Sequence, residues 1–132
     1  MKKIIALITF ITLTISLTVG IHAIELNGAI IYSYEELGIE VTFANNTNFS
    51  AEQQQRIADI LANDITPVET KAWCWLTGHS YVSDAVTVIT HKADLYNPRC
   101  LEQTYEITTC KNCNYYDEEL LGSIYITCCP EE

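Results

Sequence analysis

The sequence predicts an α+β fold, one helix packed on a mainly antiparallel sheet, with a Cys/His-rich C-terminal half. Three observations carry this. Several short runs alternate apolar and polar residues with period two, as half-buried strands do. A single amphipathic segment, Ser50 to Asn63, repeats with helical period and carries its own cap. All six cysteines lie at or beyond Cys74, so the closing part of the chain is held by cross-links or a metal.

Residues 1–23 read as a secretory signal. Lys2 and Lys3 precede an apolar stretch from Ile4 to Val19, and Gly20 or Ala23 supplies a small residue for cleavage. The stretch is long enough to span a bilayer, so an uncleaved anchor is the alternative. Against it, Thr9, Thr12, Thr14, Ser16 and Thr18 dilute the stretch, and no basic cluster follows to stop transfer. The expected product is a secreted, extracellular single domain over residues 24–132. Its strand and helix scaffold occupies 24–70 and its Cys-rich part 71–132, enough chain for one core and not for two.

Charge narrows the partners. The chain has 7 basic and 17 acidic residues, a formal net charge of −10, and the signal takes Lys2 and Lys3 with it. Such an excess repels phosphate backbones and anionic lipid, so no nucleic acid partner is expected and no membrane after signal cleavage.

Along the scaffold, Ala29–Tyr34 and Gly38–Phe43 read as two strands of a hairpin turned by Glu35 to Gly38. Ile39, Val41 and Phe43 share one face. Ser50 caps the helix and Gln53 completes an S-x-x-Q capping box. Ile57, Ala58, Ile60, Leu61 and Ala62 form its sticky side, with Glu52, Gln54, Gln55, Arg56 and Asp59 toward water. Pro67 forbids its resumption. Three further strands are expected at Ala85–Thr90, Leu101–Thr109 and Ser123–Thr127. Tyr115 to Leu121 offers a turn of helix.

The cysteines admit three readings. In the first, Cys74-x4-His79 and Cys110-x2-Cys113 are two ligand pairs that meet at one zinc ion, which takes four tetrahedral nitrogen or sulfur ligands. Gly78 supplies the positive φ such a turn needs. Over residues 71–129 this arrangement resembles a zinc ribbon, in which two hairpins each present a knuckle to one metal. The first knuckle departs from the usual C-x2-C, being C-x4-H. The resemblance implies a structural site with closed coordination. In the second reading the cysteines form disulfides, as in many small exported domains. Cys100, Cys128 and Cys129 are the candidates left over by the zinc set, and Cys100 and Cys128 end the two arms of one hairpin. An odd thiol then remains, unless Cys128 or Cys129 replaces His79. In the third reading Cys110-x-x-Cys113 is a redox pair, which requires a helix beginning at its first cysteine.

Aromatic residues crowd the same region. Trp73, Trp75, Tyr115 and Tyr116 either pack a small core or present a face to a protein or carbohydrate partner. His91 reads as an ordinary surface or core histidine. The chain contains no HExxH helix, phosphate-binding glycine loop or recognisable serine–histidine–acid set. The expected role is a non-catalytic extracellular binding or interaction module held by zinc, disulfides or both. The alternative is an extracellular thiol-disulfide oxidoreductase or metal-assisted hydrolase.

Overall fold

The computed structural model describes residues 21–67, 74–94 and 99–127. In it, each strand pairs with the next one in the chain. The elements run β1 (Ile21–Leu26), β2 (Ala29–Tyr34), β3 (Ile39–Ala44), α1 (Ala51–Asn63), α2 (Cys74–Thr77), β4 (Tyr81–Thr90), β5 (Cys100–Cys110) and β6 (Tyr116–Ile126). The strands form one six-stranded antiparallel sheet in the order β1-β2-β3-β4-β5-β6. The expected α+β class, with its one sizeable helix, is what the chain forms.

Local chemistry sets the turns. Asn27 and Gly28 both hold positive φ, 51° and 78°, the mirror-image turn whose twist suits a two-residue hairpin between β1 and β2. The first half of β1, Ile21 to Ala23, lies in the segment read as the end of the leader. Glu35 to Gly38 closes the next hairpin, with Leu37 N–H donating to the Tyr34 carbonyl at 3.0 Å. Helix α1 then crosses back over one face. Ser50 accepts from the Gln53 backbone N–H while the Gln53 side chain accepts from the Ser50 N–H, the expected capping box. Asp64, in the left-handed region at φ 50°, ends the helix.

The core lies between α1 and one face of the sheet. Tyr32, Tyr34, Val41, Phe43, Val82, Val86, Val88 and Ile107 meet Phe49, Ile57, Ala58 and Ala62 there. The cross-strand register explains the selection. Tyr32 stands opposite Val41, Val41 opposite Val88, and Phe43 opposite Val86, so one face of three adjacent strands is apolar. Phe43 makes edge-on contacts with Tyr32 and Phe49 at 5.6 and 6.3 Å between ring centres.

Two expectations are corrected. Gln54 does not face water: it is buried, accepts from the Tyr32 hydroxyl at 3.4 Å, and donates to the Phe49 carbonyl at 2.9 Å. A polar side chain can sit on the core face because both ends of its amide are satisfied. Asp59 likewise takes a 2.7 Å bond from the Tyr34 hydroxyl. The second correction concerns Tyr115 to Leu121, which is not helix: β6 runs through it from Tyr116. The Asp-Glu-Glu-Leu-Leu run pairs with β5 from Tyr116 onward, and pairing overrides its helical propensity. A register shift at Thr104/Tyr105 leaves Leu121 as an extra residue, a bulge beside Gly122.

Strand β6 is a sheet edge, and Leu120, Leu121, Ile124 and Tyr125 on it are exposed. Asp117, Glu118 and Glu119 place charge on the same edge, which discourages pairing with other chains.

Core and edge are expected to respond differently to truncation. Ile57→Ala, at a fully buried position, should cost about 2–5 kcal/mol. Leu121→Ala should change stability by less than about 0.5 kcal/mol. Urea unfolding of both variants reads the difference, and equal losses would contradict the placement of the core.

Candidate metal centre

Strand register brings the two knuckles together. The pairing of β4 with β5 sets Tyr81 opposite Cys110. The chain entering β4 therefore lies beside the chain leaving β5. Cys74 and His79 are on the first of these segments, and Cys110 and Cys113 on the second. Two backbone bonds fix the shapes. Gly78 N–H donates to the Cys74 carbonyl at 2.8 Å, closing the turn of α2, and Lys111 N–H donates to the Ser80 carbonyl at 3.0 Å, tying one knuckle to the other. Gly78 has φ 80°, where a side chain would be strained although the space around it is open.

The ligand atoms of Cys74, His79, Cys110 and Cys113 all lie within 4.8 Å of one another. Cys74 Sγ is 3.6 Å from Cys110 Sγ, and Cys113 Sγ is 3.4 Å from His79 Nδ1. A tetrahedral zinc with bonds of about 2.3 Å to sulfur and 2.0 Å to nitrogen has edges of roughly 3.5–3.8 Å. The two short separations match those edges, and the four donors together could hold a metal ion. The sulfurs are also well beyond the ~2.05 Å of a disulfide, and Cys74, Cys110 and Cys113 are free thiols.

Neighbouring groups prepare the donors. Asn112 N–H points at Cys110 Sγ, 3.4 Å away. Burial acts to raise the Cys110 thiol, but the backbones of Asn112 and Ser80 and the side chains of His79 and Cys113 outweigh it and pull the thiol down to about 6. Burial, then hydrogen bonding to Cys113 and Cys110, pushes the Cys74 thiol up to about 12. Without an ion Cys74 thus keeps its proton beside a Cys110 that gives its own up readily. A divalent cation would displace the remaining thiol protons, so loading would release acid and weaken as pH falls. The His79 ring is set by aromatic packing, stacked on Tyr81 at 5.2 Å and tilted against Tyr115 at 5.5 Å.

Helix α1 braces the second knuckle. Gln53 Nε2 donates to Thr109 Oγ1 at 3.0 Å, and Arg56 Nη1 donates to Asn114 Oδ1 at 2.9 Å. Sequence reasoning assigned neither residue to the site. The capping box marked Gln53 only as a helix residue, and Arg56 gave no local signal.

The other candidates fall elsewhere. Cys100 is buried at the far end of β5 and is disulfide-bonded, though no disulfide joins two described cysteines. Cys128, Cys129 and Trp73 lie outside the described residues, as does the side chain of Trp75. Cys100 Sγ is 3.3 Å from His91 Nδ1, whose ring reaches Glu40 at 3.5 Å through Nε2. Tyr115 joins His79 and Tyr81, while its neighbour Tyr116 packs against the core and donates to Glu118 at 2.6 Å. Cys110 ends a strand and is followed by a turn and another strand, so no helix begins at the Cys110-x-x-Cys113 pair. The helix that a thioredoxin-like redox pair requires is not there.

No family model, curated protein or solved structure matches the chain.

The thiol assignment has a direct readout. In metal-stripped, unfolded protein, Cys74, Cys110 and Cys113 should take an alkylating label without reductant, and Cys100 only after reduction. Peptide mapping by mass checks each site. Labelling of Cys100 before reduction, or protection of the other three, would contradict it.

Proposed function

We propose that the chain is an exported, non-catalytic binding module whose C-terminal half is held in shape by one zinc ion. The convergence of Cys74, His79, Cys110 and Cys113 carries this reading. Three thiolates and an imidazole are a soft donor set that suits zinc over magnesium, calcium or manganese. Four protein ligands also close a tetrahedral shell, the pattern of structural sites, whereas catalytic zinc keeps a position for water. A hydrolase would need one of the four to leave. The ion's work is to lock the segment before β4 against the turn after β5, beside the exposed ring of Tyr81. A protein or carbohydrate partner would meet this rigid end.

Export rests on the first residues, and the extent of β1 supports an earlier end to the leader. Cutting after Ala23 would remove Ile21, His22 and Ala23, half of a six-residue strand paired along its length with β2. Cutting after Gly20 leaves β1 whole. We therefore place the mature N-terminus at Ile21. No helix among the described residues is long and apolar enough to cross a membrane.

Native mass spectrometry of the purified mature chain should find one zinc per molecule. His79→Ala and Cys113→Ser should each lose it, with metal affinity reduced by at least about tenfold, while far-ultraviolet circular dichroism keeps the sheet signal. A folded wild-type protein that takes up no zinc would end this reading. N-terminal sequencing of the exported form should begin at Ile21, and a start at Ile24 would refute the placement of the cut.

A further inference from the structure

The β4–β5 ladder that joins the knuckles at one end brings a different pair together at the other. Thr90 stands opposite Leu101, so the next residues outward, His91 and Cys100, face each other. Backbone bonds hold the connection: the His91 N–H donates to the Gly38 carbonyl at 2.7 Å, and the Ala93 N–H to the Arg99 carbonyl at 3.0 Å. The ring of His91 is thereby set against the sulfur. Its Nδ1 is 3.3 Å from Cys100 Sγ, and its Nε2 is 3.5 Å from Glu40 Oε1 on β3. A proton on Nε2 faces the carboxylate, and a second one on Nδ1 points at the sulfur.

Counting identifies the bond at that sulfur. Of the six cysteines, Cys74, Cys110 and Cys113 are free thiols and Cys100 is disulfide-bonded. Only Cys128 and Cys129 are left to be its partner, so one of the two bonds to Cys100 and the other keeps its thiol.

We propose that this disulfide is a site of exchange with a low-molecular-weight thiol, in which His91 hands a proton to the departing Cys100. Cys100 is fully buried, so the sulfur attacked is its partner's and Cys100 is the one that leaves. The entering thiolate forms a mixed disulfide on Cys128 or Cys129. The electron pair of the broken S–S bond stays on Cys100 Sγ, which takes the proton from Nδ1. One thiol is consumed and one is made, so no oxidant or reductant enters. Exchange is faster the better its leaving sulfur is stabilised, and a protonated imidazole beside a sulfur stabilises the thiolate. Glu40 positions the ring by holding Nε2, as a carboxylate behind an imidazole does. Glu35, Glu40 and Lys92 share a hollow with the ring, while Arg99, next to Cys100, is engaged by Asp94 at 3.6 Å and the Tyr125 ring at 5.1 Å. The outcome is a reversible cap on the closing residues and loss of their tether to β5. It is a modification made once per chain, so it stands beside the non-catalytic role proposed above. It does not rest on the zinc reading, since the bond lies at the end of β5 away from Cys110.

The test treats the purified mature chain with reduced glutathione in the absence of oxygen and traps new thiols with an alkylating label. Peptide mapping by mass should find glutathione on Cys128 or Cys129 and a new thiol on Cys100. The folded chain should react at least about tenfold faster than the same chain in urea, whereas a bond that serves only structure is shielded by folding. Folded His91→Gln should lose that advantage. Glu40→Gln, which removes the charge behind the ring, should lose part of it. Per glutathione thiolate, the wild-type rate should fall as pH rises, because the ring must carry the proton it gives, and the His91→Gln rate should be flat. Should His91→Gln fail to fold, the comparison of folded with unfolded wild type still decides. A folded chain no faster than the unfolded one, wild-type rates in folded His91→Gln or Glu40→Gln, a flat wild-type profile, or glutathione on Cys100 itself would each overturn the inference.

Discussion

The registration of β4 against β5 is the constraint on which the C-terminal half depends. Because Tyr81 lies opposite Cys110, a ligand pair ahead of one strand and a ligand pair behind the other occupy the same end of the sheet. A slip of one residue would turn every side chain of a strand to the other face. The buried valines of β4 and Ile107 of β5 forbid that slip, since it would expose them and bury Thr87 and Glu106. The hydrophobic core thus sets the geometry of the sulfur cluster without touching it. Helix α1 contributes from the other direction, bonding to Thr109 and Asn114 on either side of the knuckle.

Two chemistries divide the cysteines by position. At one end of β5, Cys110 shares its surroundings with two other thiols and an imidazole, close enough for coordination and too far for covalent bonds. At the other end, Cys100 is disulfide-bonded. The two cysteines are the first and last residues of an eleven-residue strand. A disulfide restrains the unfolded chain and contributes about 2–4 kcal/mol, whereas a structural zinc site is worth on the order of 10 kcal/mol. A zinc ion bound at the cluster would put the larger effect at the end where the segments to be joined are loops rather than paired strands.

Much of the arrangement was legible in the residues. The capping box at Ser50 and Gln53 and the alternation through Val41 and Phe43 are local signals, and local signals survive folding. The ligand spacing at Cys74, His79, Cys110 and Cys113 was readable because a metal site demands particular atoms at short intervals. The failures had the opposite character. Gln54 is polar by composition and buried by its neighbours, and only the Tyr32 hydroxyl and the Phe49 carbonyl explain it. The Asp117-Glu118-Glu119 run favours helix on its own terms, and a partner strand outvotes it. The first half of β1 was hidden because it continues the apolar run read as leader. Arg56 carried no signal at all, for its importance lies in a bond across 58 positions.

The strictly sequential strand order bears on how the molecule is assembled. Each hairpin can zip onto the one before it, so the distance along the polypeptide between pairing partners stays small except where α1 and α2 intervene between β3 and β4. Topologies of this kind close their loops at low entropic cost and fold quickly. Cys110 and Cys113 stand at the turn between the last two strands, so the four donors meet only where β4 and β5 have paired. Ion capture would then act as a late latch on an already zipped chain, and thiols would stay reactive toward oxidants for the whole interval before it.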